Sequence, residues 1–164
     1  MKNDILTPNY RQLDWYKRRT AFIHFTVNTF TGNEWGDGTE SPEIFNPTEL
    51  DCEQWIRVLV DAGFTNAILT AKHHDGFCMF KSEYDNYNVV DATPFGRDVI
   101  GEIAAACKKH ALKLGLYYSQ ELDWHEPDGG GYNPPWLNLY DTPWTNNWDF
   151  PNDDSKNYEK CFRK

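Results

Sequence analysis

The sequence predicts an α/β fold, part of a (β/α)8 TIM barrel that carries roughly the first three strand–helix units. Three observations predict it. Apolar stretches of strand and helix character alternate along the chain. Connections from helix to strand are a few residues long, whereas each strand opens into a long polar loop. No G-x-G-x-x-G or Walker pattern follows any strand, so the usual signature of a nucleotide-binding doubly wound sheet is missing.

The elements follow in order. Thr20-Ala-Phe-Ile-His-Phe25 reads as the first strand, and Thr26 to Leu50 as the loop after it. Asp51-Cys-Glu-Gln54 resembles a capping box, and Cys52, Trp55, Ile56, Leu59 and Val60 then recur at helical spacing until Gly63 ends the helix. Asn66-Ala-Ile-Leu-Thr-Ala71 is the second strand, mostly apolar, as strands covered on both faces are. After the loop from Lys72 to Arg97, a second helix starts near Asp98. It is expected to bury Val99, Ile100, Ile103, Ala104 and Cys107, and it closes on Lys108, Lys109 and His110, cations suited to a helix C-terminus. Leu112 to Tyr118 is the third strand, Ser119 to Asp154 its loop, and Asp154 to Lys164 the opening turns of a third helix.

Strands and helices in this alternation imply parallel strands joined by right-handed crossovers. The three long loops then gather at the C-terminal strand ends, the face on which barrels and open α/β sheets build their ligand sites. A complete barrel takes about 250 residues. Residues 1–164 therefore read as an N-terminal portion truncated at the C-terminal side, with open strand edges suited to pairing with another copy or another chain.

Composition narrows the function. With 40% hydrophobic residues the chain can bury a core, and a net charge of -9 repels nucleic acid and anionic membrane surfaces. No apolar run is long enough to span a bilayer, and the first twenty residues hold no apolar signal core, so the chain as written is expected in the cytoplasm. Cys52, Cys78, Cys107 and Cys161 show no C-x-x-C spacing and read as reduced packing residues rather than a disulfide framework or zinc site. Several of the seven Trp lie in polar, Gly- and Pro-rich stretches, where they serve either as flat ligand faces or as loop packing.

The densest candidate cluster is Thr70-Ala-Lys-His-His-Asp-Gly-Phe77, where the second strand runs into its loop. Read blandly, one His is a core residue and Asp75-Gly76 makes a turn. Two His, a Lys and an Asp together at a strand end favour a site. A metal centre is the rival reading, but neighbouring residues of a regular strand face opposite ways, which argues against His73 and His74 as joint ligands. His24, at the end of the first strand, opens onto the same face, and a neutral His both donates and accepts, which suits sugar hydroxyls. Tyr117 precedes the third loop as a rim phenol or a core ring, with Tyr118 turned toward the helices. Glu34 and Trp35 in Asn33-Glu-Trp-Gly36 set a carboxylate beside an aromatic plane, suited to carbohydrate or to a solvated turn. From residues alone, Glu34 and Asp75 would be nominated as a catalytic carboxylate pair.

Thr20-Ala-Phe-Ile-His-Phe25, Asn28 to Gly36, Phe45-Asn-Pro47, Asp61-Ala-Gly63, Leu69 to Phe77, Arg97-Asp-Val99, Gly115 to Ser119 and Leu122-Asp-Trp124 resemble, in order, the N-terminal half of the α-L-fucosidases of glycoside hydrolase family twenty-nine. The Lys-His-His-Asp-Gly-Phe run is the most specific piece. The resemblance implies an exo-acting retaining hydrolase that releases terminal α-L-fucose from a fucosylated oligosaccharide or glycoconjugate, with no cofactor and no metal. It assigns fucose contacts to His24, His73, His74 and Tyr117. Similarity to the branch acting on branched oligosaccharides adds Glu34 and Trp35. It also implies that both reacting carboxyls, an Asp nucleophile and a Glu acid/base, lie beyond Lys164 and not at Glu34 and Asp75, so that residues 1–164 alone would be inactive. The alternatives are a non-catalytic carbohydrate-binding fragment and a metal-dependent barrel hydrolase. Thr20 and Thr26 stand where the family usually has Gly; a left-handed backbone there would displace the loop after His24.

Overall fold

A computed structural model of the chain describes residues 9–33, 35–120 and 122–129. Glu34, Cys161, the helix expected from Asp154 and most of the loop before it lie outside the described residues.

Three strands, β1 (Thr20–Ile23), β2 (Asn66–Lys72) and β3 (Lys113–Tyr118), form a parallel sheet in the order β1-β2-β3. Helix α1 (Tyr10–Tyr16) precedes β1, α2 (Cys52–Asp61) connects β1 to β2, and α3 (Val99–Lys109) connects β2 to β3. The α/β alternation and the strand direction are as the sequence implied. Each connecting helix starts on an Asp cap. Asp51 accepts from the Gln54 N–H at 2.9 Å, and Asp98 from the Gly101 N–H at 2.9 Å. Gly63, with φ +80, ends α2 in a backbone state that a Cβ would strain.

Alternation along the strands separates two faces. Ala67 and Leu69 turn to the helix side and join one hydrophobic cluster with Ile56 of α2 and Val99, Ile103, Ala106 and Cys107 of α3. Phe25, Phe45 and Phe77 enter the same cluster from the loops. The α3 stripe runs through Val99, Ile103, Ala106 and Cys107, so Ala104, one residue and about 100° past Ile103, is exposed rather than buried. Val60, in the last turn of α2, is exposed as well. The central strand β2 is buried almost throughout, but β3 has a strand neighbour on one side among the described residues, and Leu116 stays 52% exposed.

Two findings concern residues that the sequence left open. Helix α1 was not expected. It starts on a reciprocal cap: Asn9 Oδ1 accepts from the N–H groups of Arg11 (3.0 Å) and Gln12 (3.1 Å), while Gln12 Oε1 accepts from the Asn9 N–H at 2.7 Å. Thr20 and Thr26 do not distort the backbone. Thr20 lies within β1 and its hydroxyl accepts from Asn66 Nδ2 at 3.2 Å. Thr26 is extended, with φ -148, and caps a 3-10 turn at Val27–Phe30, its Oγ1 accepting from the Asn28 N–H at 3.2 Å. At these two positions a hydroxyl therefore does a job that needs no left-handed conformation.

Candidate functional site

The site begins with a defect in pairing at the end of β2. Thr70 pairs with Tyr117, yet the next pair joins Lys72 to Tyr118, so Ala71 is an extra residue in the register. A one-residue bulge inverts the facing of everything after it. Lys72 is turned to the side of Tyr118, where Nζ lies 4.6 Å from the centre of that ring. His73 comes instead to the side of Phe22, His24 and Tyr117. Its ring centre is 4.5 Å from that of His24, 6.0 Å from Tyr117 and 4.2 Å from His74. Phe22 closes the group, 5.6 Å from His24 and 5.7 Å from Tyr117. The expectation that His73 and His74 face opposite ways fails because both lie beyond the regular strand. Their ring planes are inclined by 34°.

Around this cluster the loops are tied together by buried polar contacts. Lys72 Nζ lies 2.6 Å from Asp123 Oδ2, joining β2 to the loop after β3. Burial is the largest single influence and opposes charge on this ammonium, but attraction to and a hydrogen bond with Asp123, together with smaller contributions from Tyr118 and Cys78, leave the Lys72 pKa above its ordinary value. Asp75 is fully buried. Its Oδ2 accepts from Asn28 Nδ2 at 2.6 Å and its Oδ1 from the Phe77 N–H at 2.7 Å, linking the loops after β1 and β2. Gly76 turns the chain here with φ +83, and an added Cβ would stand 2.6 Å from His125 Cβ. His74 is held by Ser119 Oγ, 2.6 Å from Nδ1, and by the Trp124 N–H, which donates to its carbonyl at 2.7 Å.

Electrostatically His73 and His74 form a neutral pair. Burial and the neighbouring imidazoles push the His73 pKa down to about 3, and burial with His24 pushes His74 down to about 4. Both rings are therefore uncharged near pH 7, each with one N–H donor and one nitrogen acceptor. Burial raises the Asp75 carboxyl to about 7, with nearby carboxylates adding to it. With no exposed oxygen and both oxygens already engaged, Asp75 is a linker between loops and not a group that could reach a sugar. The residue-only nomination of Asp75 as a catalytic carboxylate is thereby overturned. Among the described residues no group of three or more His, Cys, Asp or Glu is arranged to hold a metal ion.

Residues 6–158 match the family model described as Alpha-L-fucosidase. The chain belongs to the α-L-fucosidase family. It is 48% identical over 122 residues to Alpha-L-fucosidase 1 of Arabidopsis thaliana, a match covering 73% of this chain and 24% of that protein. The rice (Oryza sativa subsp. japonica) putative α-L-fucosidase 1 is 45% identical over 137 residues, covering 79% and 26%. The chain thus spans about a quarter of the length of these curated relatives. Among solved structures, the α-L-fucosidase AlfC from Lactobacillus casei in complex with α-L-fucose product is 39% identical, with TM-score 0.74 over 88% of this chain and 51% of that one.

In this member of the family the structure brings His24, His73, His74 and Tyr117 into one cluster at the C-terminal ends of three adjacent strands. Trp35 stands on the loop after β1, 38% exposed. The contributions of Asp123, Asn28 and Ser119 went unread from the residues. The signal for Asp123 was the Leu122-Asp-Trp124 piece itself, a carboxylate just past a strand end facing a lysine at the end of the neighbouring strand.

Proposed function

We propose that the chain is the fucose-gripping part of an exo-acting retaining glycoside hydrolase that releases terminal α-L-fucose from fucosylated glycans. Residues 1–164 are read as the N-terminal portion of its catalytic (β/α)8 barrel. The parallel sheet, with a helix in each crossover and long loops at the C-terminal strand ends, supports that reading. The observation that carries the functional step is the neutral His73 and His74 pair, packed with His24 and Tyr117 from the neighbouring strand ends in a chain of this family. Neutral donors and acceptors on rigid supports suit a polyhydroxylated, uncharged ring, because they exchange hydrogen bonds without burying an unpaired charge.

His24, His73, His74 and Tyr117 are assigned to fucose hydroxyls, with Glu34 and Trp35 as further contacts on the loop after β1. Retaining hydrolysis needs two carboxyls about 5 Å apart, one to attack the anomeric carbon and one to move a proton. Near the cluster, Asp75 is occupied by Asn28 and Phe77, and Asp123 by Lys72. The family resemblance assigns both reacting carboxyls to sequence beyond Lys164, and on that reading residues 1–164 alone are expected to bind without cleaving. The outer edges of β1 and β3, which have no strand neighbour among the described residues, offer a route to self-association in that isolated state.

Titration with α-L-fucose and turnover of an aryl α-L-fucoside test the proposal. The full-length protein should hydrolyse the fucoside without loss of rate in chelator, and substitution of His73 by Phe should weaken fucose binding. Enzymatic hydrolysis by the 164-residue chain alone would overturn the placement of the carboxyls. Abolition of activity by chelator would overturn the glycosidase mechanism.

A further inference from the structure

We propose that Ser119 is a positioning residue that holds His74 as its Nδ1–H tautomer, so that Nε2 is a fixed hydrogen-bond acceptor for a ligand hydroxyl; the ligand half of this rests on the sugar-binding reading above. Two short contacts share one serine proton. Ser119 Oγ lies 2.6 Å from His74 Nδ1 and 2.6 Å from the Leu122 carbonyl oxygen. A carbonyl only accepts, so the hydroxyl proton must point to Leu122. What remains at Oγ is lone pairs, and the nitrogen facing them must supply the proton. With the hydroxyl turned the other way, Oγ and the Leu122 oxygen would confront each other as two acceptors with nothing between them.

The geometry leaves little freedom to escape this assignment. Ser119 is buried, and its N–H donates to the Lys72 carbonyl at 2.9 Å, which fixes its backbone to the end of β2. The Trp124 N–H fixes the backbone of His74, and the Trp124 ring stands 5.2 Å from the imidazole. His74 is neutral near pH 7, so a proton on Nδ1 means none on Nε2. A fixed acceptor discriminates: it takes a hydroxyl that donates, and it rejects a ligand whose oxygen at that place is methylated or missing. This assigns the loop after β3 a role in specificity through a serine that itself touches no ligand.

The test uses the full-length protein with 15N-labelled imidazoles, the His74 signals being assigned by their loss in His74→Gln. At neutral pH, Nδ1 is expected to carry the protonated type of shift and Nε2 the unprotonated type. Ser119→Ala should move the ring toward the Nε2–H form and weaken α-L-fucose binding about five- to tenfold, the loss of one hydrogen bond. Ser119→Thr keeps the hydroxyl and should retain the Nδ1–H form. A wild-type ring found as Nε2–H, or a tautomer unmoved in Ser119→Ala, would overturn the inference, and the wild-type spectrum decides it even if neither variant folds. An Nδ1–H ring in a protein with no affinity for fucose would uphold the role of Ser119 and overturn the sugar reading alone.

Discussion

Replacing Lys72 by Met removes the cation from a pair whose side chains are only 7% and 11% exposed and whose charged atoms are 2.6 Å apart. The Lys72 pKa reports on how well that pair works in place. Burial, the largest single influence, would lower it, yet the Asp123 attraction and hydrogen bond with smaller help from Tyr118 and Cys78 leave it raised, so the ammonium stays charged in its buried place. Without Lys72, the Asp123 carboxylate stays buried with the Glu126 N–H, at 3.1 Å, as a remaining hydrogen-bond donor among the described residues. Removing one member of a buried pair typically costs about 3–5 kcal/mol, because the other charge is stranded. Lys72→Met should therefore lower the urea midpoint of the full-length protein by a loss of that order. Asp123→Leu alone should be similarly harmful, whereas the double variant should recover at least about 2 kcal/mol relative to the sum. Because the folded pKa lies above the unfolded one, this contribution is complete below the ordinary lysine pKa and fades only as pH rises through the folded value, leaving it constant across neutral pH. Additive single effects, or a Lys72→Met loss under about 1 kcal/mol, would refute the account of β2 and the third loop as joined by this pair.

Gly76→Ala places a Cβ against Asp123 and His125 at a positive φ, and thermal unfolding should show a loss above about 2 kcal/mol. Asp75, raised to about 7, stabilises the fold in its protonated form: the contribution is complete below the ordinary carboxylate pKa and is lost as pH rises through about 7, by roughly 4 kcal/mol at 1.36 per unit. Asp75→Asn should remove that slope when stability is measured from pH 4 to 8, while the new amide can still accept from Phe77 and can donate to Asn28 Oδ1. His73 and His74 act in the opposite sense. Their folded pKa values, about 3 and about 4, lie below the unfolded one, so their contribution is present above pH 6.5 and lost as pH falls; in Asp75→Asn this acid loss should no longer be offset by Asp75. The Cys52 and Cys78 thiols, pushed up to about 12 by burial, should resist alkylation at pH 8 in the native protein and react once it is unfolded.

Much of the frame was legible because its signals are local. Asp51 and Asp98 cap the helices they precede, and Gly63 stops α2. Lopsided loop lengths point to the end of the sheet at which the imidazole cluster lies. The stripe of α3 was legible to within one residue, and the error at Ala104 came from counting an apolar neighbour as part of the face. Helix α1 is hard to read from sequence because it is only seven residues long and its Tyr10, Leu13 and Tyr16 stay exposed rather than forming a buried face. The polar ties around the cluster were unreadable for a different reason. Asn28 to Asp75, Lys72 to Asp123 and His74 to Ser119 each join residues more than forty positions apart, and no spacing rule reaches across that distance.

The deepest gap was the register. Period-two alternation, applied from Thr70 onward, puts Lys72 beside Tyr117 and His73 among the helices. The bulge at Ala71 exchanges them, and both partners found in the structure depend on the exchange: Lys72 reaches Asp123 on the side of Tyr118, and His73 reaches His24 on the side of Tyr117. Unbulged, the strand would set an ammonium against His24 and strand Asp123 without a cation. It follows that Thr70 to Phe77 works as a series of separately aimed groups and not as a patch of similar donors. Lys72 is anchored by the third loop, His73 by the sheet face, His74 by Ser119, Asp75 by the first loop, and Gly76 by the absence of a side chain. A run in which every residue answers to a different neighbour cannot slip by one position without losing all of them at once, which gives a physical reason for so specific a run of residue types.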